Sequence, residues 1–443
     1  TTGNHDPALP LGLVKKNTHF LAADGSRVTR EDSCAGYVSQ MECYADFGFF
    51  PRKDDCYWES PFTSYTYDKY AYEDACRESV LGKRTYTLCD SLTATDASYL
   101  VEPVDGLWLL AIDGGVYLPK EMKDGKWTYQ GSSAGYNLVL KHKPFLLPWV
   151  RKVVEEARKR HKTLVAFSHY PLVDFNDGVS ESVHRMWGDR RFDLHRVPEA
   201  EVSEAFLQAG LRLHFAGHMH VNDTGIWEGK DGKHLYNIQV PSIATYVPAY
   251  KILTIESDEA FRVETVTLDT VTGFDSLFPL YRAEYQSDSL RGHSPVWNKE
   301  ILSARTYGEF CDYQFRDLVR LRFIPRDLPE SWRACLDFTG ARMLKAVSGE
   351  DKANNVNWTG WCMTDMVLDV YRLRYAERLA LKDIPETRLA AYRYLFERAR
   401  ISSLRSAEVE IVNGLGTLFL AFLNGEPCQN FVIDLEKDTI TGD

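Results

Sequence analysis

Three short apolar segments limit what this chain can fold into: GLWLLAID (106–113), TLVAFSH (163–169) and LRLHFAGHMH (211–220). Each is a near-continuous apolar run, the pattern of a strand buried on both faces. Between the first two, residues 145–161 carry Leu147, Val150, Val153, Val154 and Ala157 on one side and Arg and Lys on the other, as in an amphipathic helix. A second helix is expected at about 199–209, ending at Gly210, a residue suited to the left-handed position after a helix. This strand–helix–strand rhythm predicts an α/β layered fold, with ligands gathering at the loops after the strands' carboxyl ends.

From Gly225 onward the pattern turns antiparallel, with Asp231-Gly232 as a hairpin signal and a further strand pair over 250–256 and 261–268. The irregular, Gly/Ser/Pro-punctuated stretch 269–300 reads as a linker, and 301–443 as a mainly α-helical C-terminal domain. Helical segments are expected near 306–322, 330–347, 359–381 and 386–401, and the last forty residues fit helix or strand equally well. Ahead of the alternating part, a Cys- and Tyr-rich insertion at about 17–104 has little periodicity and reads as an irregular flap. Five of the nine cysteines crowd it (Cys34, Cys43, Cys56, Cys76, Cys89), a pattern that fits disulfides in an oxidising compartment or scattered free thiols.

The net charge of −11 argues against a nucleic-acid duplex or an anionic membrane surface as partner, because both would repel it. A small phosphorylated substrate is compatible with that charge where a metal supplies local positive charge. No apolar run approaches the ~20 residues that span a bilayer, so Leu415 to Leu423 reads as core.

Chemistry concentrates in three loops: Gly3-Asn4-His5-Asp6, Ser168-His169-Tyr170-Pro171 and Gly217-His218-Met219-His220. Imidazole together with amide or carboxylate oxygen is a donor set suited to Mn, Fe or Zn. Gly217 would allow close backbone approach, and the i, i+2 histidines could address different sides of a site. A single strand-end histidine is usually a hydrogen-bonded structural residue, so the weight lies on the three loops together.

These three loops resemble the third, fourth and fifth signature blocks of the calcineurin-like metallophosphoesterases. The match covers residues 1 to about 268. The stretches YADFG (44–48), SYLVEPVDGLWLLAID (98–113) and PSIATYVPAY (241–250) further resemble an exported bacterial branch, which implies a periplasmic or extracellular location. The fold implied is a sandwich of two mixed β-sheets flanked by helices. The activity implied is hydrolysis of phosphate mono- or diesters at a binuclear centre of two divalent transition-metal ions (Mn, Fe or Zn), using metal-activated hydroxide. By the same resemblance Asn4, His169 and His218 would hold one metal and His220 the other. His5 would stabilise charge and protonate the leaving oxygen, with Asp6 orienting it.

The family's first two blocks, an Asp-x-His pair and a Gly-Asp with a bridging aspartate, should precede Gly-Asn-His, and the later Asp-Gly stretches follow the wrong elements to replace them. The expectation is therefore a fragment of a longer phosphoesterase with an incomplete site. His184, His195, Arg185, Arg190 and Arg191 lie on the loop between the last two blocks, from which they could reach substrate. Tyr246 and Tyr250 could line the pocket or simply pack. Alternatives are a nucleotide or cyclic-nucleotide phosphodiesterase, and a non-catalytic protein that uses the same scaffold to bind a ligand or partner.

Overall fold

The computed structural model describes residues 2–3, 15–22, 26–34, 37–89, 92–123, 126–130, 135–290, 297–351 and 356–442. The three apolar segments become the strands Leu107–Ala111, Thr163–Phe167 and Leu213–Ala216. They pair in parallel, and His234–Gln239 joins beyond the last of them, also in parallel. Antiparallel strands flank this block: Asp223–Glu228 on one side, Tyr99–Val104 and then Tyr57–Glu59 on the other, making a mixed seven-stranded sheet.

The helix Leu146–Lys159 covers one face through Leu146, Trp149, Val150, Val153, Val154 and Ala157. Ala200–Gln208 packs beside it, and Gly210 takes the left-handed conformation expected of it, at φ +92°. A side chain at Gly210 would also strike Val154, at 2.9 Å from its Cβ. On the other face lies a four-stranded antiparallel sheet, Ala249–Ser257, Ala260–Thr267, Asn430–Asp434 and Thr439–Gly442. Val165, Leu213, Tyr236 and Ile238 of the large sheet share a buried cluster with Phe261, Val263, Phe431 and Ile433 of the small one.

The fold is thus α/β with mixed and antiparallel sheets and a helical C-terminal region, whose longer helices are Tyr307–Leu318, Met363–Ala376, Glu386–Ile401 and Ala407–Leu423. Leu415 to Leu423 is largely core within the last of these, and no described helix is long and apolar enough to cross a membrane. Two features differ from the sequence reading. The stretch 269–300 contains the helix Phe278–Leu290. The chain's last strands return to the small sheet, so the C-terminal region does not stand apart.

The insertion also differs from a loose flap. It contributes Tyr57–Glu59 and Tyr99–Val104 to the main sheet, and Tyr57 packs its ring against Tyr65, Tyr67, Tyr70 and Trp108. Cys43, Cys56, Cys76 and Cys89 are free thiols, so the disulfide reading does not hold for them; the Cys34 side chain lies outside those described. Aromatic packing, not cross-linking, holds this segment.

One buried ion cluster fixes the turn after the Leu107–Ala111 strand. Lys143 Nζ lies 2.8 Å from Asp96 Oδ2 and 2.9 Å from Asp113 Oδ2, all three side chains at most 2% exposed. Burial opposes the ammonium charge, but the Asp113 and Asp96 carboxylates outweigh it and raise the lysine's pKa. Asp113 also accepts from the Ala97 and Gly115 amides, so it is committed to structure. Lys143→Met strands two buried carboxylates and should cost about 3–5 kcal/mol of stability in urea unfolding. Adding Asp96→Asn and Asp113→Asn should recover part of that loss; an unchanged midpoint for Lys143→Met would refute this role.

Candidate functional site

His169 and His218 leave adjacent parallel strands at the same level, because the backbone ladder continues past the strand ends. Ser168 N donates to Phe215 O at 2.9 Å, and Gly217 N donates to His169 O at 3.0 Å. The imidazoles meet, with His169 Nε2 3.0 Å from His218 Nδ1. Tyr170 closes against both rings, at centroid distances of 4.9 and 4.8 Å. His218 is buried and His220 exposed, and both take left-handed backbone conformations, φ +65° and +58°.

Gly217 does not behave as expected. A Cβ there would meet nothing closer than His169 O at 3.7 Å, an ordinary contact. The glycine the site requires is Gly3, where a Cβ would fall 2.7 Å from the His169 ring. Thr2 is buried and Gly3 O accepts from the Tyr117 hydroxyl at 3.4 Å. The glycine that leads the first motif loop is therefore seated on the histidine of the second. Asn4, His5 and Asp6 lie outside the described residues.

Beneath this pair, His214 is fully buried. Its Nδ1 lies 2.8 Å from Asn237 Oδ1, which can only accept, so Nδ1 carries the proton. Its Nε2 lies 2.9 Å from Ser168 Oγ, whose own proton goes to Tyr170 O at 2.7 Å. Asn237 Oδ1 also takes the Leu172 amide at 3.0 Å, tying the loop after His169 to a third parallel strand.

His184 is exposed and paired with Asp189, and His195 is exposed in a short turn. Arg185 and Arg190 are exposed and Arg191 half-buried. Tyr246 is core: its hydroxyl donates to Asp383 Oδ2 at 2.7 Å and its ring stacks on Phe315 at 4.9 Å.

Sequence reasoning missed a carboxyl group cluster that could hold a metal ion. Among the described residues, Asp177, Asp223 and Glu377 alone form a trio of potential ligands, with donor atoms within 4.8 Å of one another. No described His, Cys, Asp or Glu joins the His169–His218 pair in such a group. Burial raises the Asp223 and Glu377 carboxyls well above the usual range, and burial with the neighbouring Asp223 charge pushes Asp177 up to about 9. The only local signal was Asn222-Asp223, one residue beyond the Gly-His-Met-His loop; Glu377 comes from a distant helical segment and has no motif. Compared with protein-family models and with curated proteins, the chain matches none.

Burial lowers the His214 pKa to about 4, against about 6.5 for a free imidazole. Below pH ~6.5 the unfolded chain takes up this proton and the folded one does not, so stability present above that pH is lost as the pH falls towards 4. The loss should approach 3 kcal/mol, about 1.4 kcal/mol per pH unit. His214→Gln should lack that slope, so the wild-type-minus-variant difference in unfolding free energy should fall as the pH drops towards 4; parallel pH profiles would contradict it.

Proposed function

We propose that this protein is a metal-dependent phosphoesterase of the calcineurin-like type, hydrolysing phosphate mono- or diesters of a small substrate. The observation that carries the reading is the convergence of three separated motif loops on one point: Gly3 against the His169 ring, and His169 Nε2 3.0 Å from His218 Nδ1. Two nitrogens ~3.0 Å apart match two ligands at right angles on one transition-metal ion with ~2.1 Å bonds. The pair therefore fits one of the two Mn, Fe or Zn ions that the motif resemblance implies.

Without an ion, one of the two facing nitrogens must carry a proton, and a ligand set requires both deprotonated. His169 and His218 would hold one cation with Asn4, and His220 would contribute to a second. When bound, such ions polarise phosphoryl oxygens and lower the pKa of water. The chain's own task is positioning. Ser168, His214 and Asn237 fix the loop that presents His169, and Tyr170 excludes water from one side of the imidazole pair. His5 would give its proton to the leaving oxygen, with Asp6 holding its ring.

A second reading, a non-catalytic scaffold that binds metal and phosphate, is favoured by one observation: among the described residues only two nitrogens converge. Turnover separates the two. With Mn or Zn, the protein should hydrolyse bis-p-nitrophenyl phosphate, with EDTA abolishing activity and His169→Ala or His218→Ala each lowering it on the order of 100-fold. Zinc affinity should fall in the same variants. Zinc binding without turnover would favour the scaffold, and variants that bind zinc like the wild type would sink both readings.

A further inference from the structure

Where the large sheet meets the helical region, three segments bring carboxyl groups together. Asp177 lies in the loop after the Thr163–Phe167 strand, Asp223 opens the Asp223–Glu228 strand, and Glu377 follows the helix Met363–Ala376. The junction is tight: Asn222 N donates to Tyr375 O at 2.9 Å, and a Cβ on Gly425 would fall 2.6 Å from Asp177 Oδ1. Asp223 is 2% exposed and Glu377 4%. Asp223 Oδ2 and Glu377 Oε1 nevertheless meet no N–H or hydroxyl donor, and the two carboxyl groups face each other. A buried, unpartnered carboxylate oxygen is costly and needs a counter-charge or a proton.

The nearby cation provides it only in part: its charge favours both carboxylates, but its protons go elsewhere. Lys251 Nζ has three protons, and its contacts are Asn222 Oδ1 at 2.7 Å, Thr265 Oγ1 at 2.9 Å and Cys428 O at 2.7 Å, all uncharged acceptors. Cys428 Sγ donates to Glu377 Oε2 at 2.9 Å, leaving Oε1 for another partner. The donors are all hard oxygens lying within 4.8 Å of one another, a set suited to a hard divalent cation such as calcium. Asp177 is only partly buried and sits beside exposed Gly178, which gives an ion a route from solvent.

We infer that Asp177, Asp223 and Glu377 form a divalent-cation site, of the calcium class and separate from the histidine pair, that clasps the sheet to the helical region. The bound ion replaces mutual repulsion between carboxylates with a shared counter-charge, so it stabilises the junction without entering any reaction. This site does not depend on the phosphoesterase reading.

The test is calcium titration of the EDTA-treated, desalted 443-residue protein. Calorimetry should show one calcium ion per chain, and Tm should rise with calcium up to about 1 mM by a few degrees. The Asp223→Asn/Glu377→Gln double variant should lose both responses. Its calcium-free fold should be at least as stable as the wild type's, since two repelling carboxylates are gone; near-ultraviolet circular dichroism checks that fold. Should it not fold, the single change Asp177→Asn at the solvent-facing ligand should weaken calcium binding at least tenfold. His218→Ala should keep the full calcium response. No calcium response in the wild type, or one that survives loss of these ligands or disappears with His218→Ala, would overturn the inference; the first outcome means the carboxyls share protons instead.

Discussion

A neutral imidazole buried under the strand ends holds the candidate site in place. His214 donates through Nδ1 to Asn237 and sets Nε2 2.9 Å from Ser168 Oγ, and burial disfavours its charged form. Those contacts span three neighbouring parallel strands. His169 directly follows Ser168, and His218 lies just beyond the strand that carries His214. Their mutual position is therefore set by the hydrogen-bonded layer below them as much as by their own loops. The two left-handed histidine conformations at 218 and 220 are tolerated because that layer and the Gly217–His169 backbone bond over-determine the loop.

The helical region completes this end of the molecule. Phe175, Val183, Phe192, Met219 and Tyr246, from the loops and the short helix Ser180–Trp187 around the sheet, share one core cluster with the C-terminal helices. Buried polar links reinforce it: Arg374 donates to Phe192 O at 2.9 Å, and Arg326 pairs with Asp193 at 2.9 Å. Burial alone would disfavour the Asp193 carboxylate, yet the facing Arg374 and Arg326 charges outweigh it and hold its pKa down at about 2. The contrast with Asp177, Asp223 and Glu377 is physical. One carboxylate in this junction is surrounded by guanidinium groups, whereas three others face each other.

Much of the sheet was legible because its signals are local. The buried strands at 107–111, 163–167 and 213–216, the helix at 146–159 and the Gly210 stop follow from apolar runs and 3.6-residue spacing. The three histidine-bearing loops were legible for the same reason, each being a short motif after a strand. Long-range facts were not. The return of 430–442 to the small sheet depends on pairing with the Ala260–Thr267 strand, which no local pattern encodes. Tyr246 was ambiguous in sequence because a tyrosine suits a pocket or a core equally; its stacking on Phe315 decides for the core. The cysteine cluster pointed to cross-links, but sequence proximity does not bring side chains together, and the aromatic ladder around Tyr57 does the holding. The acidic trio joins residues from three distant segments, beyond the reach of any spacing rule.

The central claim is that His169 and His218 are two ligands of one transition-metal ion, and anomalous diffraction from zinc-loaded crystals tests it most directly. A zinc peak should bridge His169 Nε2 and His218 Nδ1, within roughly 2.0–2.1 Å of each. A structure in which these nitrogens keep a direct hydrogen bond, with zinc bound elsewhere or not at all, would contradict it.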